Sequence, residues 1–106
     1  MKKRIWKFEI KPYDLAVKIP KGAEILTVQT QNGNPYIWAL VCPENEKEER
    51  YFEIYATGDE IQSDGGINRK YINTFQLDSG SLVFHLFERI EYTVYGYEAL
   101  TVIPSK

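Results

Sequence analysis

Apolar and polar residues alternate with a period of two along nearly the whole of this 106-residue chain. A strand sends successive side chains to opposite faces, so this period describes half-buried strands, whereas a helix needs a period near 3.6. The clearest unit runs from residue 24 to residue 42, around Asn32-Gly33. That dipeptide favours a two-residue hairpin loop, because both loop positions need positive φ. With Asn32 and Gly33 as the loop, Gln31 faces Asn34, Gln29 faces Tyr36, Val28 faces Ile37 and Thr27 faces Trp38. One face then collects Leu26, Val28, Ile37, Ala39 and Val41, which makes it the core side. The other collects Thr27, Gln29, Gln31, Tyr36 and Trp38, with Ile25 and Leu40 at its far end. Pro35 has to fall where the ladder needs no donor.

The same period recurs on both sides of this hairpin. Trp6, Phe8 and Ile10 alternate with Lys7 and Glu9; Leu15, Val17 and Ile19 follow the Lys11-Pro12-Tyr13-Asp14 turn. These two segments read as a second hairpin. The acidic run 43–49 reads as a solvated loop and residues 51–57 as a strand. Residues 58–70 show no period, so a long loop is expected there, with a turn at Ser63-Asp64-Gly65-Gly66. Strands follow at 71–77 and 82–88, joined by Asp78-Ser79-Gly80-Ser81. The segment Leu82-Val83-Phe84-His85-Leu86-Phe87 is apolar on both faces, as expected of a central strand or one covered by a partner. Residues 89–106 read as an edge-strand or tail extension, with short strands near 92–97 and 100–103. The expected architecture is a single all-β domain over residues 1–106, a small antiparallel sandwich or barrel of seven to eight strands. Leu, Ile, Val and Phe number 29, enough for one core at this length and too many for a disordered chain.

The runs Pro20-Lys21-Gly22-Ala23-Glu24-Ile25-Leu26-Thr27-Val28-Gln29-Thr30-Gln31-Asn32-Gly33 and Tyr36-Ile37-Trp38-Ala39-Leu40-Val41 carry a resemblance. Tyr71-Ile72-Asn73-Thr74-Phe75-Gln76-Leu77, Leu82-Val83-Phe84-His85-Leu86-Phe87-Glu88 and the opening Ile5-Trp6-Lys7-Phe8 extend it. Together, over residues 5–88, they resemble a family of small bacteriophage and prophage proteins. The resemblance implies an accessory protein acting inside a bacterial host cell. It brings no activity, cofactor or site residue with it.

The residue inventory points away from catalysis. One His and one Cys give no Cys/His metal cluster and no disulfide framework, so neither cofactor nor metal is expected. His85 shares a strand face with Val83 and Phe87, where a structural imidazole is the simpler reading; a hydrolase built on His85 is the distant alternative. Ser81 follows Gly80 in a strand–strand turn and lacks the strand–turn–helix setting of a nucleophile elbow. Asp59, Glu60 and Asp64 miss the spacing of a calcium loop. Two groups remain as binding candidates. The first is the mixed hairpin face of Thr27, Gln29, Gln31, Tyr36 and Trp38, whose rings supply area and whose amides supply adaptable hydrogen bonds. The second is the 58–70 loop with Asp59, Asp64, Asn68 and Arg69.

Charge limits the partners. Residues 1–22 carry seven basic residues against two acids, and the remainder six against thirteen. The net charge of −2 argues against nucleic acid as the main partner, and oppositely charged segments can attract within the fold or between copies. Lys2-Lys3-Arg4 is not followed by an apolar run, so neither a secretory leader nor a membrane span is expected. The expected protein is cytoplasmic in a bacterial host, non-enzymatic, and works by protein–protein contact, above all as a homo-oligomer. The alternative is an inhibitor of host defence that binds a host bacterial protein or sequesters a signalling nucleotide, which leaves a small-molecule ligand open.

Overall fold

The computed structural model describes residues 2–61, 67–95 and 99–102. Its eight described strands are β1 (Arg4–Glu9), β2 (Ala16–Pro20), β3 (Glu24–Gln31), β4 (Asn34–Val41), β5 (Lys47–Ala56), β6 (Ile67–Leu77), β7 (Leu82–Tyr95) and β8 (Ala99–Val102). All pairings are antiparallel. One sheet has the order β1-β4-β3; the other has β2-β5-β7-β6, with β8 joined to the far end of β7. The two sheets pack as an all-β sandwich around Ile10, Ile19, Val28, Ile37, Val41 and Leu86, each at most 1% exposed.

The β3–β4 hairpin follows the register that Asn32-Gly33 dictates. Gln31 pairs with Asn34, Gln29 with Tyr36, Val28 with Ile37 and Thr27 with Trp38. Both loop residues have positive φ, 54° at Asn32 and 81° at Gly33. Thr30 faces Pro35, the position after the turn-closing pair, where neither residue donates to the other and a proline is tolerated. The Pro35 carbonyl instead accepts from the Ile10 N–H at 3.1 Å.

Beyond Thr27 the hairpin departs from strict alternation. A bulge between Ile25 and Thr27 inserts one residue into β3, so Ile25 pairs with Ala39 and turns inward while Leu26 turns to solvent. The expectation of Leu26 in the core and Ile25 on the outer face is reversed. One inserted residue flips the side-chain parity of everything beyond it. Two substitutions test the flip by thermal or urea unfolding. Ile25→Ala is expected to cost about 2–4 kcal/mol as a core truncation. Leu26→Ser is expected to stay within about 0.5 kcal/mol, as exposed positions do.

The first two strands do not form a hairpin with each other. β1 pairs with β4, and β2 pairs with β5 in the opposite sheet. The Lys11-Pro12-Tyr13-Asp14 turn is tight, held by one Lys11–Asp14 bridge, but it is a corner at which the chain changes sheets. Burying Ile10 on one side and Ile19 on the other outweighs local pairing. β5 begins at Lys47, four residues before the expected start, because β2 runs alongside it. That pairing places Lys18 opposite Glu49 and brings Lys21 Nζ within 3.9 Å of Glu46. Part of the charge asymmetry is therefore matched inside the fold.

β6 also starts early. Residues 67–70, expected in the loop, pair with β7, so Asn68 faces Ile90 and Arg69 faces Arg89. β7 lies between β5 and β6, the central position its two-sided apolar sequence calls for. It continues to Tyr95 and pairs there with β8, in the region where one or two short edge strands or a tail were expected. The turn at 63–66, with Asp64, lies outside the described residues.

Candidate functional site

The outer face of the three-stranded sheet gathers all five hairpin candidates. Strand parity puts Tyr36 and Trp38 on the central strand and Thr27, Gln29 and Gln31 beside them on β3. From the other edge, β1 adds Ile5 opposite Leu40, Lys7 opposite Trp38 and Glu9 opposite Tyr36. Lys7 is the member that the hairpin alone does not reveal. Its stem crosses the sheet so that Nζ lies 4.7 Å from the Tyr36 ring centroid and 5.8 Å from that of Trp38. The ammonium donates to Gln31 Oε1, two strands away. A cation over two ring faces is held by their quadrupoles, so Lys7 ties β1 to the aromatic pair.

The edges of this face are fixed as well. Thr27 Oγ1 accepts from Gln29 Nε2 at 3.2 Å and from Asn73 Nδ2 of β6 at 2.8 Å. Thr30 Oγ1 donates to the Gln76 carbonyl at 2.8 Å, a second tie across the β3–β6 seam. Apolar surface remains at the other end, where Ile5 is 60% and Leu26 41% exposed. The Trp38 indole N–H is shielded from solvent and has no hydrogen-bond partner. An unmade hydrogen bond on a shielded donor costs about 1–3 kcal/mol. Trp38→Phe removes that donor and part of the ring, so it is expected to leave the unfolding midpoint nearly unchanged, whereas Trp38→Ala lowers it.

The outer face of the second sheet carries the other candidates. Glu53 Oε1 accepts from the Tyr55 hydroxyl at 2.7 Å and from Arg69 Nε, and its Oε2 forms an ion pair with Arg89, whose Nε lies 3.0 Å away. Arg69 is thus a strand residue in an ion cluster. Burial, followed by the bond to Glu53, pushes the Tyr55 phenol above its ordinary pKa. Phe87 touches Tyr55 and Tyr71 edge-on, with centroids 5.9 and 5.5 Å apart. These rings, with His85, Thr57, Asp59 and Ile61, line a shallow hollow of about 240 Å³. Asp59 is occupied in the turn after β5: its carboxylate accepts from the Ala56 N–H at 2.8 Å, while its own N–H donates to the Ala56 carbonyl. Asn68 is exposed and stands apart from this group.

His85 sits between two hydroxyls. Nε2 is 2.7 Å from Thr57 Oγ1 and Nδ1 is 2.8 Å from Thr74 Oγ1, which in turn is 2.6 Å from the Tyr71 hydroxyl. A hydroxyl can donate or accept, so the pair suits either neutral tautomer. The arrangement clips β5, β7 and β6 together. A base in nucleophilic catalysis is usually oriented by a third group beside its nucleophile. Among the described residues, His85 has no carboxylate hydrogen-bonded to it. Neither do three or more His, Cys, Asp or Glu side chains gather to hold a metal ion there, and no helix is long and apolar enough to cross a membrane.

Residues 1–94 match DUF7352, a domain of unknown function, and the chain belongs to that family. No curated protein and no solved structure matches it.

Proposed function

We propose that this member of the DUF7352 family is a non-enzymatic protein that acts by contact, through the outer face of the three-stranded sheet and first of all with copies of itself. The observation that carries this reading is the joining of Lys7, Tyr36 and Trp38 into one braced group with Thr27, Gln29 and Gln31 at its side. Large rings of restricted freedom flanked by amides bind with little loss of entropy, which is why such surfaces serve recognition. The exposed Ile5 and Leu26 extend the face with apolar area. The resemblance of residues 5–88 to small bacteriophage and prophage proteins favours such a role for an accessory protein of the bacterial cytoplasm.

Sedimentation velocity over a wide concentration range tests the reading. The wild type is expected to shift from monomer to a larger species, and Tyr36→Ala with Trp38→Ala is expected to abolish the shift while the fold persists. A wild type that stays monomeric at high micromolar concentration removes self-association.

A second reading draws on the same group. A cation beside two rings and two amides is also suited to stacking a base and neutralising a phosphate, as an inhibitor that sequesters a signalling nucleotide would require. A panel of cyclic nucleotides distinguishes it, since tight binding to the native state raises the unfolding temperature. Absence of any shift across the panel rejects this version and leaves capture of a host defence protein as the remaining inhibitory role.

A further inference from the structure

We infer that the edge strand β1 takes up an extended peptide as a further strand of the three-stranded sheet, a peptide with acidic residues at one end and apolar residues at alternate positions. Such binding goes beyond contact through the outer face, because it uses the main chain of β1. The Ile10 N–H donates to the Pro35 carbonyl at 3.1 Å, so these two residues form a hydrogen-bonded pair. Bonded and non-bonded pairs alternate along an antiparallel ladder. Phe8, Trp6 and Arg4 therefore bond to β4, while Ile5, Lys7 and Glu9 turn their N–H and C=O groups to the open side.

Sheet edges are closed to further strands by bulges, prolines, edge charges or a covering element. The two sheet paths end in β1, β3, β2 and β6. β3 and β6 are each bulged and lie against one another, tied by Thr30 to the Gln76 carbonyl and by Asn73 to Thr27. β2 has five residues, and the bond from the Lys21 N–H to the Glu46 carbonyl turns the neighbouring Pro20, which has no N–H, to its open side. β1 instead pairs with β4 over six consecutive residues, without a register shift or a proline. Its central charge, Lys7, is drawn back over the Tyr36 and Trp38 rings, away from the open edge. Of these four ends, β1 is the one left as a template.

Charge and side-chain parity describe the occupant. Lys2, Lys3 and Arg4 lead into β1; all three are exposed, and among the described residues none belongs to an ion pair. Residues 2–11 carry five basic residues against Glu9 alone. A second copy offering its own β1 brings the same excess, and like charges in apposition select against it. An acidic strand is complementary, with its acids beside Lys2, Lys3 and Arg4 rather than beside Glu9 at the other end. Trp6 and Phe8 stand half-buried on the inner side of β1, packed against the core. An added strand sends every second side chain to that side, so apolar residues at alternate positions cover these rings.

Fluorescence anisotropy with a short labelled peptide of alternating valine and threonine, ending in three glutamates, tests this on the full chain. The peptide is made with the glutamates first and with the glutamates last, since the direction of addition decides which order brings them to Lys2, Lys3 and Arg4. One order is expected to saturate in the micromolar range. Its counterparts with lysine for glutamate, or with a central proline that prevents strand addition, are expected to bind at least about tenfold more weakly. Ile5→Pro removes a donor from the open edge and leaves the bonds to β4 in place, so it is expected to lose the peptide by a similar factor, whereas Ile5→Ala keeps it. Equal binding of the glutamate and lysine peptides overturns the acidic partner. Full binding of the proline-interrupted peptide, or by Ile5→Pro, overturns the edge. No saturation by either order up to about 1 mM overturns the inference as a whole. If Ile5→Pro abolishes self-association while no peptide binds, the occupant of the edge is a second copy and the peptide is rejected.

Discussion

Replacing Glu88 by alanine is expected to destabilise the protein by about 3–5 kcal/mol, the range for removing one partner of a buried ion pair. Glu88 is 7% exposed and points inward from the central strand β7, directly opposite Phe52. Arg50 meets it with Nε on Oε2 and Nη2 on Oε1 at 3.0 Å, and sends Nη1 to the Ala23 carbonyl at 3.0 Å. Two parallel bonds match the planar guanidinium to the carboxylate, and the third fastens the start of β3 to the opposite sheet. Without Glu88, the guanidinium loses its buried, bidentate partner and keeps only Glu48, 3.9 Å away and partly exposed. The same logic predicts that R50M/E88L, which removes both charges, is less destabilised than Glu88→Ala. Urea unfolding of R50M, E88L and R50M/E88L measures the coupling. Additive losses would show that the pair contributes no interaction of its own.

Leu86→Ala is expected to cost about 2–5 kcal/mol, as a full core truncation on a strand with neighbours on both sides. Leu86 is fully buried, pairs with Ile54 of β5 and Asn73 of β6, and belongs to the core shared by the two sheets. A small domain has only about 5–15 kcal/mol of stability in total, so either substitution alone should lower the thermal midpoint by many degrees. Phe87, one residue on, faces outward between Tyr55 and Tyr71. Phe87→Ala should therefore cost less than Leu86→Ala. Equal losses would mean that the outer aromatic group carries as much stability as the core, contrary to the burial pattern.

What the sequence made legible was local. Asn32-Gly33 determined not only the hairpin but its register as far as Thr27, because a two-residue loop leaves no freedom in pairing. The two-sided apolar run of Leu82 to Phe87 likewise announced the centre of a sheet. What stayed hidden depended on distant partners. The bulge at Leu26 exchanges two aliphatic residues of nearly equal hydrophobicity, so alternation alone cannot register it. The corner after Ile10 resembles a hairpin turn because proline and aspartate serve both; only the pairing of β1 with β4 decides. Residues 67–70 lack an apolar rhythm because Arg69 is neutralised by Glu53, two strands away across β7. Lys7 was visible as an outward residue of an alternating strand. Its role followed only once β1 lay beside Tyr36 and Trp38.

His85 makes the same point in reverse. Its lone occurrence pointed to a structural imidazole, and the partners are two threonines, Thr57 just past the end of β5 and Thr74 on β6. Neither threonine stands out in the sequence. Antiparallel register brings Thr74 directly opposite His85 and places Tyr55, two residues before Thr57, opposite it on the other side.

Which face makes contact is measured residue by residue by an NMR dilution series of the backbone amides. As concentration rises, shifts are predicted to concentrate in β1, β4 and β3, strongest around Lys7, Glu9, Tyr36 and Trp38, with the outer face of β5, β7 and β6 unmoved. Shifts centred instead on Glu53, Tyr71 and Phe87, or none at all up to the solubility limit, would contradict it.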